Sequence, residues 1–226
     1  MSSSTYFRDT LKTIEYYFDF LSPYSYLSWQ WVRDSDSYLE KNGYRWDYKP
    51  VVLGSIIQHY ETKGPAEIAS KRDYLFKDCD RFSKQHDFSF EVPAVLPFNS
   101  LYPLRLALSS LSGAQQSEVI ELLFLNSWGK GKDISEPSEL SKILNDAGHP
   151  GEKWLEDIGQ KEVRRQLKDN VKDALSKGVF GLPAFFVNNE LFWGNDSIPS
   201  LKLFIEGRDS LDIEKFNNFS ERFGKV

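Results

Sequence analysis

The residues best able to do chemistry in this chain are Ser22-Pro23-Tyr24-Ser25. Two hydroxyls stand there at the spacing of a Cys-x-x-Cys redox pair, with oxygen in place of both sulfurs. Hydroxyls cannot exchange disulfides, so a dithiol cycle is excluded. Pro23 suits a first helical turn, where its missing N–H would have had no partner, and Ser22 then falls at the N-cap. The helix dipole leaves partial positive charge at that end, so a strand running into it makes a seat for an anion or a thiolate. Ser before Pro is also ordinary capping. What lifts this tetrapeptide above that reading is its place directly after a strand.

The elements that must position it follow from the surrounding pattern. Ile14, Tyr16, Phe18 and Phe20 alternate with Tyr17 and read as a buried strand. From Pro23, the residues Tyr26, Leu27, Gln30 and Trp31 fall near helical spacing, and this helix is expected to close at Tyr38 to Asn42 before Gly43. Tyr44 to Leu53 reads as a second strand, parallel to the first through a βαβ crossover. Helical patterns are then expected over Ala66 to Gln85, Leu101 to Ser110, Gln115 to Gly129, Glu136 to Ala147 and Lys161 to Lys177. The Pro-rich loop Val92 to Asn99 and turns at Gly113, Gly131 and Gly148-His149-Pro150-Gly151 separate them. Ala184 to Val187, Asn188-Asn189 and Glu190 to Trp193 read as a β-hairpin, and a last helix begins near Ile198-Pro199-Ser200.

The order βαβ, helical excursion, ββα resembles an α/β thioredoxin-like fold with a helical domain inserted between its halves. The expected division is residues 10–58 with 178–226 for the thioredoxin-like domain and 59–177 for the insertion. Leu182-Pro183 opens the hairpin. In thioredoxin-like folds the proline at this place is cis and faces the active-site helix, with the preceding backbone offered to an extended ligand, so a cis bond is expected.

Composition narrows the function classes. At 226 residues, 40% hydrophobic and 15% aromatic, the chain can bury a sizeable core. A formal charge of −5 gives no electrostatic case for nucleic acid or anionic membranes as partners. MSSSTYFRDTLK has no apolar signal core and no run approaches spanning length, so a cytoplasmic protein is expected. The lone Cys79, between charged flanks, reads as a small buried hydrophobe. His59, His86 and His149 show no metal-ligand spacing; His59 is expected to face the interdomain cleft as a surface histidine, and Trp128 and Trp154 to be core or interface.

FDFLSPYSYL (Phe18 to Leu27), VFGLPAFFV (Val179 to Val187) and LFWGND (Leu191 to Asp196), in that order, resemble the 2-hydroxychromene-2-carboxylate isomerases and kappa-class glutathione transferases. The Lys71-Arg72-Asp73-Tyr74 and Leu96-Pro97-Phe98-Asn99 stretches extend the resemblance. It implies a DsbA-like thioredoxin fold, glutathione as cofactor, an electrophilic or conjugated small molecule as substrate, and a homodimer. It implies that Ser22 donates to the glutathione sulfur and that Leu182 pairs its backbone with the cysteinyl unit. Trp193, Gly194, Asn195 and Asp196 would border the γ-glutamyl end, Asp196 meeting its ammonium, and Lys71 the glycyl carboxylate. A thiol of pKa about 8.5 is mostly protonated at neutral pH. The site would hold it ionised, for reversible addition in an isomerase or for a retained thioether in a transferase.

The pattern departs on the substrate side. Ile57 stands where the isomerases carry a lysine, Glu67 and Ile68 near an Asn-Arg pair, Ser100 where a tyrosine follows Asn99, and Ser197 where an arginine commonly follows Asn-Asp. The cofactor half is kept and the substrate half is not. The competing functions are a DsbA-type disulfide oxidoreductase, opposed by Ser22 and Ser25, and a non-catalytic thioredoxin-like module binding along the Leu182-Pro183 edge.

Overall fold

The computed structural model describes residues 11–223, so residue 10, the rest of the N-terminal stretch before Leu11, and residues 224–226 lie outside it. Its centre is β1 (Lys12–Phe18). Ile14, Tyr16 and Phe18, with Phe20 just beyond, enter one hydrophobic cluster, and Tyr17 enters another on the opposite face. That is the alternation expected of a strand covered on both sides. β2 (Tyr44–Pro50) pairs parallel with β1, β3 (Ala184–Val187) antiparallel, and β4 (Glu190–Trp193) antiparallel with β3, giving the order β2-β1-β3-β4. Tyr16 sits opposite both Tyr48 and Phe185, and its ring lies 5.3 Å from that of Phe185.

α1 (Pro23–Val32) is held on this sheet by the Tyr16 hydroxyl, which donates to Ser25 O at 2.8 Å and lies 2.9 Å from Ser28 Oγ. A fully buried phenol must find such partners, so burial of Tyr16 fixes the height of the helix on the strand. Helix and strand are not continuous with the expected boundaries everywhere. The helical stretch breaks after Val32, and α2 (Asp36–Lys41) begins separately before Gly43 at φ +84°. β2 ends at Pro50, and α3 (Leu53–His59) occupies the end of the expected strand. The reason is local: Val51 N–H makes the last bond to β1, at Phe18 O, and Leu53 N–H turns away to the Asp19 carboxylate.

Between β2 and β3 the chain is helical. α4 (Ala69–Gln85), α5 (Leu101–Leu106), α6 (Ser109–Ser112), α7 (Gln116–Phe124), α8 (Pro137–Asp146), α9 (Gly151–Asp157) and α10 (Lys161–Ser176) follow one another. α7 runs into a π-helical turn over Leu125–Gly129, which brings Trp128 into the core with Nε1 donating to Phe20 O at 2.7 Å. α9 was not expected from the sequence. Gly151 opens it, and a Cβ there would fall 2.5 Å from Ser141 O, so a glycine permits α9 to lie against α8. After the hairpin, whose turn residues Asn188 and Asn189 have φ of 49° and 66°, come α11 (Ile198–Ile205) and α12 (Ile213–Phe223). Among the described residues no helix is long and apolar enough to cross a membrane.

Candidate active site

The corner between β1 and α1 is built on Asp19. Its carboxylate, 1% exposed, accepts from Leu21 N–H at 3.0 Å and from Leu53 N–H at 2.8 Å. Burial pushes the Asp19 carboxyl above its ordinary range, and the bonds from Leu21, Leu53 and Ser100 pull the other way. Ser100, one of the departures from the isomerase pattern, therefore has work as a partner of Asp19. Asp19 O also accepts from Ser22 N–H at 3.0 Å, so one residue sets where α1 begins.

Ser22 is the N-cap of α1, in extended conformation (φ −91°, ψ 113°). It is 4% exposed. Its Oγ accepts from Ser25 N–H at 3.2 Å and donates to Leu182 O at 3.3 Å, both long for hydroxyl bonds. The Leu182–Pro183 bond is cis, as is Leu96–Pro97. Leu182 N–H has no partner among the described residues. Ser25, at the fourth position of the tetrapeptide, is fully buried with its hydroxyl unpartnered.

Leu182 of this pair lines a cleft of about 900 Å³, whereas Ser22, bonded to it, is not itself among the lining residues. Leu182, Trp193, Gly194, Asn195 and Asp196 line one wall, so five residues from two separated sequence motifs come together. Gly194 has φ +87°, and a Cβ on it would meet the Asp196 carboxylate folded over it. A Cβ on Gly181 would lie 2.5 Å from the Trp193 indole nitrogen. Both glycines thus let the wall close up without side chains. The side-chain oxygen of Asn195 is buried and has no hydrogen-bond partner.

On the other wall only Tyr24, expected from its place just past the N-cap to line a pocket, is legible in the sequence. Tyr24, whose hydroxyl donates to Asp78 at 3.1 Å, faces the cleft with Asp78 and Phe82 of α4 and His86 at the C-cap of that helix. These last three are spaced four apart, one helix face. Lys71, expected at the glycyl carboxylate, is exposed and is not among the cleft-lining residues. It precedes Asp78 by seven residues, which puts it about 10 Å further along the helix axis. His59, expected to face the cleft, is exposed, sits edge-on to Tyr60 and is also outside the lining. His86 is the histidine that enters it, its ring 4.2 Å from Phe82.

The remaining sequence departures have structural partners. Ile57 lies against Gly64, and the Glu67 carboxylate accepts from Gly64 N–H at 2.7 Å, so these residues shape the turn before α4. Cys79 is buried, and burial followed by the charge of Asp78 pushes its thiol up to about 12. It stays protonated and unreactive at neutral pH. Among the described residues no group of three or more His, Cys, Asp or Glu side chains is placed to hold a metal ion.

Fold and site together define a thioredoxin-like protein in which hydroxyls replace the redox sulfurs. A family model described as a DSBA-like thioredoxin domain matches residues 13–206, and the chain belongs to that family. It is 27% identical to the 2-hydroxychromene-2-carboxylate isomerase of Sphingobium xenophagum over 198 residues, covering 86% of this chain and 98% of that protein. To glutathione S-transferase kappa 1 of Homo sapiens it is 26% identical over 187 residues, 76% of this chain and 79% of that one. A solved 2-hydroxychromene-2-carboxylate isomerase superposes with a TM-score of 0.76 at 21% identity, covering 94% of this chain and 100% of that one.

Proposed function

We propose that the protein is a glutathione-dependent isomerase of the 2-hydroxychromene-2-carboxylate isomerase type, acting on a conjugated, electrophilic small molecule. The observation that carries this reading is the bond from Ser22 to Leu182 O, at the mouth of a helix and beside a cleft lined by Trp193 to Asp196. Two groups that the ligand's cysteinyl unit would use are already in contact there, held by a long bond that exchanges readily. The residues present fit glutathione: Leu182 N–H and the Asn195 side-chain oxygen are unpartnered, a donor and an acceptor for a peptide and an ammonium.

In this reading Ser22 donates its hydroxyl proton to the bound sulfur, and the positive end of the α1 dipole, where Tyr24 N–H has no partner among the described residues, favours the negative form. Leu182 aligns the cysteinyl backbone, Asn195 and Asp196 take the ammonium, and Trp193 and Gly194 border the γ-glutamyl chain. Bound glutathione supplies a thiolate able to add reversibly to a conjugated double bond. Tyr24, Phe82 and Phe88 give the far wall an aromatic surface suited to a flat, conjugated substrate. Residues 10–58 and 178–226 would then hold the cofactor, with 59–177 supplying the substrate wall. Lys71 has no part in it. A homodimer in the cytoplasm belongs to the same proposal.

The test is a thermal shift with glutathione. At one hundred times Kd a ligand of the native state stabilises by about 2.7 kcal/mol, which for a chain of this size raises Tm by about 5–10 °C. No shift at millimolar glutathione overturns the reading. A kappa-type transferase is the second reading, supported by the kappa-class relative. The product separates the two: recovered glutathione with rearranged substrate for the isomerase, a stable thioether for the transferase.

A further inference from the structure

We propose that Lys202 binds the α-carboxylate of the γ-glutamyl unit, completing with Asn195 and Asp196 a receptor for an α-amino-acid head group. This rests on the glutathione reading and adds to it a residue that neither motif contains. Ser197, at the place where the isomerase pattern carries arginine, turns its hydroxyl back to Gly194 O at 2.8 Å and offers the cleft no charge. Lys202 lies one turn and a half further on. Ile198, Pro199 and Lys202 of α11 all line the cleft, with Ile198 and Lys202 four apart on one helix face.

The lysine is held in place without being neutralised. Its ammonium sits 5.1 Å from the centre of the Trp31 ring, also a cleft residue, which orients a cation and leaves its charge available. Glu206, the i+4 carboxylate, is bonded by Tyr38 at 2.7 Å and by Arg208, and although the Lys202 charge reaches it the two form no ion pair. No carboxylate lies within 4.0 Å of Lys202 among the described residues, and Asp196 likewise forms no ion pair there. Of the other charged residues of the cleft, Asp34 is paired with Arg33 at 3.5 Å and Asp78 accepts from Tyr24 at 3.1 Å, while Asp87 lies just past the α4 end with the Phe82 and His86 side of the lining. Asp196 and Lys202, each without an ion pair, therefore share a cleft without meeting each other, and the buried oxygen of Asn195 stands next in sequence to the acid. A ligand carrying an ammonium and a carboxylate on one carbon satisfies all three groups, whereas a purely anionic or cationic ligand leaves one charge unmatched.

The test is calorimetric titration of wild type, Lys202→Met and Lys202→Arg with two ligands. One is glutathione, and the other its analogue with the γ-glutamyl α-carboxylate converted to an amide. Methionine keeps the stem on Trp31, so an unchanged ligand-free Tm is expected. Wild type should prefer glutathione over the amide by about tenfold, the value of one partly exposed charge-assisted bond. Lys202→Met should lose that preference while binding the amide as wild type does, and Lys202→Arg should keep it. Equal weakening of both ligands by Lys202→Met, or no weakening of either, overturns the assignment while leaving the glutathione reading intact. Absence of glutathione binding by wild type overturns both.

Discussion

Replacing Ser22 by alanine separates the two jobs its hydroxyl does in the structure. As N-cap it accepts from Ser25 N–H at 3.2 Å, and as donor it reaches Leu182 O at 3.3 Å. Loss of the cap costs about 1 kcal/mol, a fall in Tm of about 2–4 °C for a chain of this length. The donor matters only with ligand bound. A hydrogen bond to a charged group contributes about 1.5–3 kcal/mol and the neutral bond to Leu182 that it replaces about 0.5–1.5 kcal/mol. The difference is about 1–1.5 kcal/mol in favour of the ionised sulfur, close to the 1.4 kcal/mol that equals a factor of ten in ionisation. Ser22→Ala should therefore bind glutathione in a folded protein while the bound thiol titrates about one pH unit higher, because the helix terminus remains. The assay is a pH titration of thiolate ultraviolet absorbance at saturating glutathione. If wild type and Ser22→Ala ionise the bound thiol at the same pH, the donor role argued from the Leu182 contact is wrong.

Three further outcomes follow from the same geometry. Asp19→Ala leaves the N–H groups of Leu21 and Leu53 without their acceptor and should lower unfolding free energy by about 2–5 kcal/mol in urea; a change below about 0.5 kcal/mol would be that of an ordinary surface position. Cys79, buried and with its thiol raised to about 12, should resist alkylation in the native protein at neutral pH and react only after denaturation. Stoichiometric labelling of the native chain contradicts that. On the far face of the sheet, Lys177 pairs with Glu15 at 2.6 Å and Asp173 at 2.9 Å, and the Tyr17 hydroxyl reaches Asp173 at 2.5 Å. Burial acts to raise the Asp173 carboxyl, but Tyr17 and Lys177 outweigh it and hold it below its ordinary range. Burial likewise acts to lower the Lys177 ammonium, and Glu15 with Asp173 outweighs it and raises it. The carboxylate's share of stability is thus present above the ordinary pKa of about 4 and lost as pH falls through the lower folded value. The lysine's share is present below about pH 10 and lost as pH rises through its higher folded value. The stability difference between wild type and Lys177→Met should be full near neutral pH and shrink at both extremes, and a difference independent of pH refutes the assignment.

The parts of the molecule legible in the sequence are those governed by local periodicity. Alternation in β1 assigned Tyr17 to one face and Ile14, Tyr16 and Phe18 to the other, and both clusters exist. Pro23 after a hydroxyl fixed the start of α1, and Asn188-Asn189 fixed the hairpin. What escaped depends on partners distant in the chain. The end of β2 is decided by Asp19, thirty-four residues from Leu53, so the last residue of an apolar run that reads as strand begins a helix instead. α9 escaped because Gly151 reads as a turn residue, although it serves close helix packing. α12 went unread too, its exposed aromatic residues giving no clear start. Lys71 matched a motif but stands outside the cleft, whereas Asp78, Phe82 and His86 line it because of how α4 crosses α1. Lys202 carried no signal of its own; its free charge appears only once Glu206 is seen bonded elsewhere.

The most direct test of the whole account is proton release on glutathione binding to the wild-type protein. Calorimetric titrations at pH 7 in buffers of different ionisation enthalpy report the number of protons given up per ligand bound. Free thiol is almost wholly protonated at that pH, with a pKa of about 8.5, so capture of the sulfur as thiolate should release a substantial fraction of one proton. The same release should diminish in Ser22→Ala. Saturable binding with no proton released would mean that the cleft holds a peptide and leaves its sulfur inert, which contradicts the account at its centre.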